Sequence, residues 1–216
     1  MAEPTPPLAL APMSTDHYFT AQPASPAEQR QLTVTLAGRK VTVRTAGGVF
    51  SPDGLDKGTA VLLREVPAPP PTGTFLDLGC GWGPIALSLG LLSPGAMMHA
   101  VDVNERALDL VRANARTLGL VNVHASQPGG IPDQASFDQI WSNPPIRVGK
   151  AVLHEMLLHW LPRLWPGGVA YLVVQKNLGS DSLQRWLGEH LDREQFGVAR
   201  FASDKGFRVL EVTRGR

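Results

Sequence analysis

Apolar positions follow two registers along this chain. Leu32-Thr-Val-Thr-Leu36 and Val41-Thr-Val-Arg-Thr45 alternate apolar with polar residues about Ala37-Gly-Arg-Lys40, the period-two pattern of a β-hairpin. Residues 55–66 then read as a short helix. From Thr74 onward, short and almost continuously apolar runs alternate with segments of helical period. Runs at 75–78, 98–103, 121–124, 137–141 and 169–174 predict strands, and segments at 84–92, 105–118, 149–161 and 180–191 predict helices. Ala107, Leu108, Val111, Ala115 and Leu118 share one helical stripe, and Gly119 follows as a stop signal. Strands apolar on both faces and spaced by helices predict an α/β fold, a doubly wound, mostly parallel sheet with helices on either side. Two last runs, 196–201 and 207–212, flank Ser203-Asp-Lys-Gly206 and predict an antiparallel hairpin that brings the sheet to seven strands.

Proline punctuates this pattern. Six of the 19 prolines lie within residues 1–28 and four within 67–71. The first group marks an irregular tail, because proline removes amide donors and the segment is poor in large apolar groups. The second reads as an extended polyproline spacer. The expected organisation is a tail (1–28), a small cap with linker that contains the hairpin (29–72), and a core (73–216).

Composition narrows the setting. At 216 residues and 43% hydrophobic, the chain has the size of one substantial domain. Twenty basic and 19 acidic side chains leave a formal charge of +1, so bulk electrostatics call for neither DNA nor a membrane surface, and any RNA role must rest on a local site. The one cysteine, Cys80, cannot form an intramolecular disulfide, which fits a reducing, cytoplasmic compartment. No apolar run approaches the ~20 residues that span a bilayer. The six histidines show no metal-ligand spacing, and no metal is expected.

Chemistry concentrates at strand ends. Asp77-Leu-Gly-Cys-Gly-Trp-Gly83 sits where a strand gives way to a helix, the place where open α/β sheets bind ligands. Gly79, Gly81 and Gly83 admit close approach of a ligand, and Pro84 suits a first helical turn. In the dinucleotide pattern G-x-G-x-x-G the third glycine would fall at position 84, so nicotinamide and flavin dinucleotides are disfavoured. The D-x-G-x-G-x-G spacing suits S-adenosylmethionine, which carries no pyrophosphate. Asp77, Gly79, Cys80, Gly81, Trp82 and Gly83 are therefore candidate cofactor residues. Asp102, closing the next strand beside Val103, is placed to accept both ribose hydroxyls, and Asn104 reads as the N-cap of the following helix. Cys80 needs no nucleophilic role, because the methyl donor is the electrophile.

Ser142-Asn-Pro-Pro-Ile-Arg147 ends the fourth strand of the core. Two prolines hold the backbone extended and leave carbonyls without local donors, and Asn143 adds a side-chain carbonyl. Together they can accept both hydrogens of a planar amino group. Methyl transfer to an amide-like nitrogen requires this, because its delocalised lone pair must be turned toward the methyl group. Asn143, Pro144 and Pro145 are the candidate catalytic set, with Asn143 also beside the cofactor.

Asp77–Gly83, Asp102 and Asn143-Pro-Pro145 resemble class I S-adenosylmethionine-dependent methyltransferases that act on exocyclic or amide nitrogens. Gly48-Val-Phe-Ser51, Leu55-Asp-Lys-Gly-Thr59 and Asn143-Pro-Pro-Ile-Arg-Val-Gly-Lys150 are similar to the small-domain family of ribosomal RNA guanine-N2 methyltransferases, in particular to members without a duplicated N-terminal half. With His17-Tyr-Phe19 the resemblance spans roughly residues 16–213. It implies a Rossmann-like methyltransferase fold and a flipped guanine whose 2-amino group is held by Asn143 and Pro144. Phe50 and Ser51 would line the base pocket, with Ile146, Arg147 and Lys150 on the substrate side. Ile146 stands where nitrogen methyltransferases often carry an aromatic residue, so stacking falls to Phe50, Tyr18 or Phe19. Ser126 and Gln127 occupy the position that usually reads the adenine. The implied partner is ribosomal RNA or a ribosomal subunit, and Arg30, Arg39, Lys40, Arg44, Lys57 and Arg64 in the cap are available to an RNA backbone. A protein glutamine or a small metabolite as acceptor, and a non-catalytic binding module, remain open alternatives.

Overall fold

The computed structural model describes residues 28–216, so Tyr18, Phe19 and nearly all of the proline-rich tail lie outside the described residues. β1 (Gln29–Leu36) and β2 (Arg39–Ala46) pair antiparallel. Their two-residue turn, Ala37-Gly38, has φ of 49° and 74°, the left-handed geometry whose twist matches that of the flanking strands. Helix α1 (Lys57–Glu65) follows, and then the alternating units β3 (Thr72–Leu78), α2 (Pro84–Leu92), β4 (Gly95–Val101), α3 (Glu105–Thr117) and β5 (Val123–Ser126). β6 (Phe137–Ser142), α4 (Lys150–Trp160), β7 (Leu164–Gln175), α5 (Ser180–His190), β8 (Phe196–Asp204) and β9 (Phe207–Arg214) complete the chain.

The seven core strands form one sheet in the order β5-β4-β3-β6-β7-β9-β8, parallel except for β9, which runs antiparallel to both neighbours. This is the doubly wound, mostly parallel seven-strand sheet that the alternation of strands and helices predicts. Burial alternates residue by residue along β7: Tyr171 and Val173 face α1, α2 and α3, whereas Ala170, Leu172 and Val174 face α4 and α5. The chain order reverses between β3 and β6, which puts a topological switch point at their carboxyl ends. Asp77 and Trp141 are register partners across that boundary, so the glycine loop and the Asn-Pro-Pro turn leave adjacent strands at one level.

Some strand limits differ from the sequence-based expectation. β4 ends at Val101, which frees Asp102 and Val103 from the ladder. β5 lies two residues later than its apolar run, because Asn122 is drawn into a loop where its amide donates to the carbonyls of Ser93 and Ala96, each at 3.1 Å. β7 begins at Leu164, five residues before the expected run at 169–174, and takes in the Trp165-Pro-Gly-Gly168 stretch. A Cβ on Gly168 would lie 2.9 Å from the Trp165 carbonyl and 3.1 Å from that of Asp138, so only glycine fits this irregular start.

Side-chain donors of the core clasp the N-terminal hairpin and the turns that follow it. Asn114 on α3 is wholly buried and pairs with β2 as another strand would, accepting from the Arg44 amide at 2.6 Å and donating to the Arg44 carbonyl at 3.0 Å. Its amide also donates to the Trp82 carbonyl at 3.2 Å. Downstream, Arg106 donates to the carbonyl of Gly47 at 2.7 Å, Asn104 to that of Gly48 at 2.8 Å, and the Trp82 indole to that of Ser51 at 3.1 Å. Asn114→Ala is expected to cost about 2 kcal/mol by leaving buried backbone groups unpaired. Urea unfolding monitored by tryptophan fluorescence checks this; a loss under ~0.5 kcal/mol would mean that the hairpin is held by apolar contact alone.

Candidate functional site

The glycine loop is tied down from the neighbouring strand. The amides of Gly79 and Cys80 both donate to the Val101 carbonyl, at 2.8 and 3.0 Å. Gly81 N donates to Asp102 Oδ2 at 2.9 Å, and Gly83 N to the Cys80 carbonyl at 2.9 Å. With four amides engaged inside the protein, the loop offers no run of free donors with which to cradle a pyrophosphate. Gly79 and Gly81, at φ of 76° and 55°, line the cleft where a side chain would intrude. Gly83 serves packing instead, since a Cβ there would approach Val111 on α3 to 2.9 Å.

Above the switch point lies a cleft of about 420 Å³. Leu78, Gly79, Gly81, Val101, Asp102, Val103, Asn104 and Ala107 form one side, and Asn143, Pro144 and Pro145 another. Phe50, from the segment between β2 and α1, also lines the cleft, and Val148, Val152, Met156 and Trp160 supply an apolar wall. Asp102 accepts from Gly81 N through Oδ2 and from Asn104 N through Oδ1, at 2.9 Å each, so each oxygen keeps lone-pair capacity for a ligand hydroxyl. Burial pushes its carboxyl pKa up, while the amides of Asn104, Gly81 and Val103 oppose that shift. Asn104 also caps α3 as expected, accepting from Arg106 N at 3.0 Å.

In the Asn-Pro-Pro turn, both amide hydrogens of Asn143 are committed to the protein. Nδ2 donates to Asp56 Oδ2 at 2.8 Å and to Thr59 Oγ1 at 3.0 Å, while Oδ1 takes no hydrogen bond among the described residues. The Pro144 carbonyl is not wholly free, as the prolines alone would imply: it accepts from Ile146 N at 2.9 Å. Pro145, at φ −74° and ψ 75°, closes this as an inverse γ-turn, which fixes the carbonyl's direction and leaves one lone pair.

Not every residue singled out from the sequence reaches the cleft wall. Cys80 and Trp82 are buried within the apolar clusters on either side of α2, and Ser51 contributes its carbonyl to the Trp82 indole. Ser126 Oγ is buried without a partner among the described residues, and the Gln127 amide donates to Glu105 at 3.1 Å. Their neighbour Pro128 forms the wall there. Ile146 packs against the core under α4, and Lys150 is exposed at the start of that helix. Arg147 lies in a short 3-10 turn between the prolines and α4. In the cap, Arg30 pairs with Asp53 at 3.0 Å and Arg64 with Glu65 at 2.9 Å and Asp204 at 2.5 Å, which reduces the basic surface open to RNA. Asp56 and Thr59, within the Leu55-Asp-Lys-Gly-Thr59 motif that carries the resemblance, and the Val148–Val152–Met156 stripe were assigned no site role from the sequence. The stripe has a legible four-residue spacing, and Asp56 a legible capping position, but neither spacing says that it faces a ligand.

Known proteins were compared with this chain. The family model described as methyltransferase small domain matches residues 40–211. The chain belongs to this family. As a methyltransferase small domain it uses S-adenosylmethionine, and the positive-φ glycines and partly buried Asp102 suit that cofactor. Bacillus subtilis YbxB, an uncharacterised protein, is 31% identical over 202 residues, covering 92% of this chain and 98% of its own. Ribosomal RNA small subunit methyltransferase C of Shewanella amazonensis is 34% identical over 162 residues, covering 72% of this chain and 47% of its own. The chain thus spans about half the length of the curated ribosomal RNA methyltransferases it matches. A T. thermophilus 16S rRNA methyltransferase solved with AdoMet and guanosine shares the fold, with a TM-score of 0.71 at 24% identity over 90% of this chain and 52% of that one. Among the described residues, no cluster of His, Cys, Asp or Glu could hold a metal ion, and no helix is long and apolar enough to cross a membrane.

Within this methyltransferase core, Asp77 anchors the loop to α2 by accepting from Ala86 N at 2.9 Å, while Oδ1 is buried without a partner among the described residues. Burial, with the nearby Asp102 charge, pushes its carboxyl pKa up to about 8, against the pull of the Ala86 amide. Because the folded pKa lies above the unfolded value of ~3.9, the fold favours the protonated acid. Its stabilising contribution is full below about pH 4, is lost as pH rises through about 8, and is flat above that. Asp77→Asn is therefore expected to gain stability over wild type progressively between pH 5 and 8 in the cofactor-free protein. Urea midpoints at several pH values check this, and parallel pH profiles for the two proteins would contradict it.

Proposed function

We propose that this protein methylates the exocyclic 2-amino group of a guanine in ribosomal RNA. The observation that carries this reading is the pair of acceptors at the cleft rim. Asn143 Oδ1 and the remaining lone pair of the Pro144 carbonyl stand on one turn, beside the cleft that the glycine loop lines. S-adenosylmethionine supplies an electrophilic methyl group on a sulfonium, a good leaving group. The protein's task is then to align the amine, not to deprotonate it strongly. Accepting both amine hydrogens turns the nitrogen lone pair out of conjugation with the ring and toward the donor.

Phe50 lines the same cleft, and an aromatic ring there suits a flat base. Extruding the guanine from a helix costs a few kcal/mol, least in a loop or in unassembled RNA. The T. thermophilus neighbour holds guanosine in its complex, and the Shewanella relatives are named as small-subunit ribosomal RNA methyltransferases; both support the acceptor class. A net charge of +1, with two cap arginines already paired to acids, favours a structured subunit over bare RNA as the substrate.

Asn143→Ala is expected to lower kcat by about 100-fold while S-adenosylmethionine affinity changes less than about threefold, since one preorganised hydrogen bond to the acceptor is lost. Single-turnover kinetics with calorimetric titration of the cofactor separate the two quantities. Nucleoside mass spectrometry of ribosomal RNA from cells with and without the gene tests the acceptor: N2-methylguanosine should fall at one position. Label from the methyl donor found only in protein or metabolite fractions would rule RNA out.

A further inference from the structure

We infer that Asp56 and Thr59 are positioning residues: they lock the Asn143 amide in the one orientation that presents its oxygen to the methyl acceptor. This rests on the reading above of Asn143 as an acceptor-orienting group, and it identifies what makes that group competent.

An asparagine amide at the rim of a cleft has two faces of nearly equal shape, one that accepts and one that donates. Turned by 180°, Asn143 would aim its donor at the donor hydrogens of the amine and repel it. Asp56 decides between the two states, because an ionised carboxylate only accepts and so must face Nδ2. Thr59, almost fully buried, takes the second Nδ2 hydrogen, so the nitrogen has nothing left with which to bind a ligand. The carboxylate also polarises the amide, drawing charge toward Oδ1 and strengthening it as an acceptor.

The local sequence Leu55-Asp-Lys-Gly-Thr59 is built for this. Asp56 is the N-cap of α1, and its Oδ2 accepts from Gly58 N at 2.7 Å and Thr59 N at 3.1 Å, which holds the carboxylate still as it reaches across to Asn143. Gly58 leaves room for it: a Cβ there would lie 3.0 Å from Asp56 Oδ2 and 3.0 Å from the Phe207 ring. The first turn of α1 thus carries two acceptors toward Asn143, and the packing of α1 on β7 and β9 brings them there.

The test uses Asp56→Ser together with Thr59→Val in the full chain. Serine still caps the helix, but its hydroxyl ends one bond short of Asn143; valine keeps the shape of threonine without its oxygen. On ribosomal RNA, kcat should fall about tenfold with S-adenosylmethionine affinity within about twofold, and Thr59→Ser, which restores a hydroxyl, should stay close to wild type. In an Asn143→Ala background the same pair should change kcat less than about twofold, because the group it orients is gone. Equal slowing in both backgrounds, or no slowing in either, overturns the inference. A second readout needs no acceptor: the Asn143 side-chain NH2 signals, assigned by their loss in Asn143→Ala, should exchange slowly with solvent in wild type and fast in the double variant. Rapid exchange in wild type also overturns it. If wild-type enzyme labels guanine neither in free ribosomal RNA nor in ribosomal subunits, the guanine reading falls, and the exchange measurement alone decides the role of Asp56 and Thr59.

Discussion

The end of β4 governs the cofactor side of this protein. One carbonyl, that of Val101, and one carboxylate, that of Asp102, receive three successive amides of the glycine loop. A loop with its donors turned inward cannot act as an anion nest; it presents instead bare Cα positions and a carboxylate edge. That selects against a pyrophosphate and in favour of a ligand with ribose hydroxyls and a cationic end. The same contacts leave Asp77 sealed beneath the loop with one oxygen unpartnered among the described residues, a buried acid that the fold prefers neutral.

The acceptor side depends on a different kind of constraint. Asn143 and Pro144 belong to a turn whose own bonds settle only half of its geometry: the γ-turn at Pro145 aims a backbone carbonyl, but nothing in the turn orients the Asn143 amide. That comes from the N-terminal segment, which Asn114, Arg106, Asn104 and the Trp82 indole clasp to the core along its backbone carbonyls. The segment between the hairpin and β3 therefore finishes the cleft, with Phe50 in its lining and Asp56 against the Asn143 amide.

Much of this was legible in the residue pattern. The strands and helices of the core, the antiparallel closing hairpin, the cap on α3 and the position of the two motif loops all follow from apolar periodicity and from glycine and proline spacing, which act over a few residues. The errors came where local signals conflict with long-range contacts. The strand expected over 169–174 begins at Leu164 instead, because Gly168 lets backbones come closer than any side chain would permit. Cys80 and Trp82 share the motif with the cleft-lining glycines, yet alternate side chains of a loop point opposite ways, and theirs enter the core.

By itself the sequence determined the fold class, the cofactor class and the place of the two motif loops at the ends of strands, because each is written in short-range spacing: D-x-G-x-G-x-G after one strand and Asn-Pro-Pro after another. Only the tertiary structure decided which atoms of those motifs remain available. The Pro144 carbonyl is half engaged and the Asn143 nitrogen fully so, the latter by residues 87 and 84 positions away. Hydrogen-bond capacity is limited and is divided among neighbours in space, and no local pattern reports who those neighbours are.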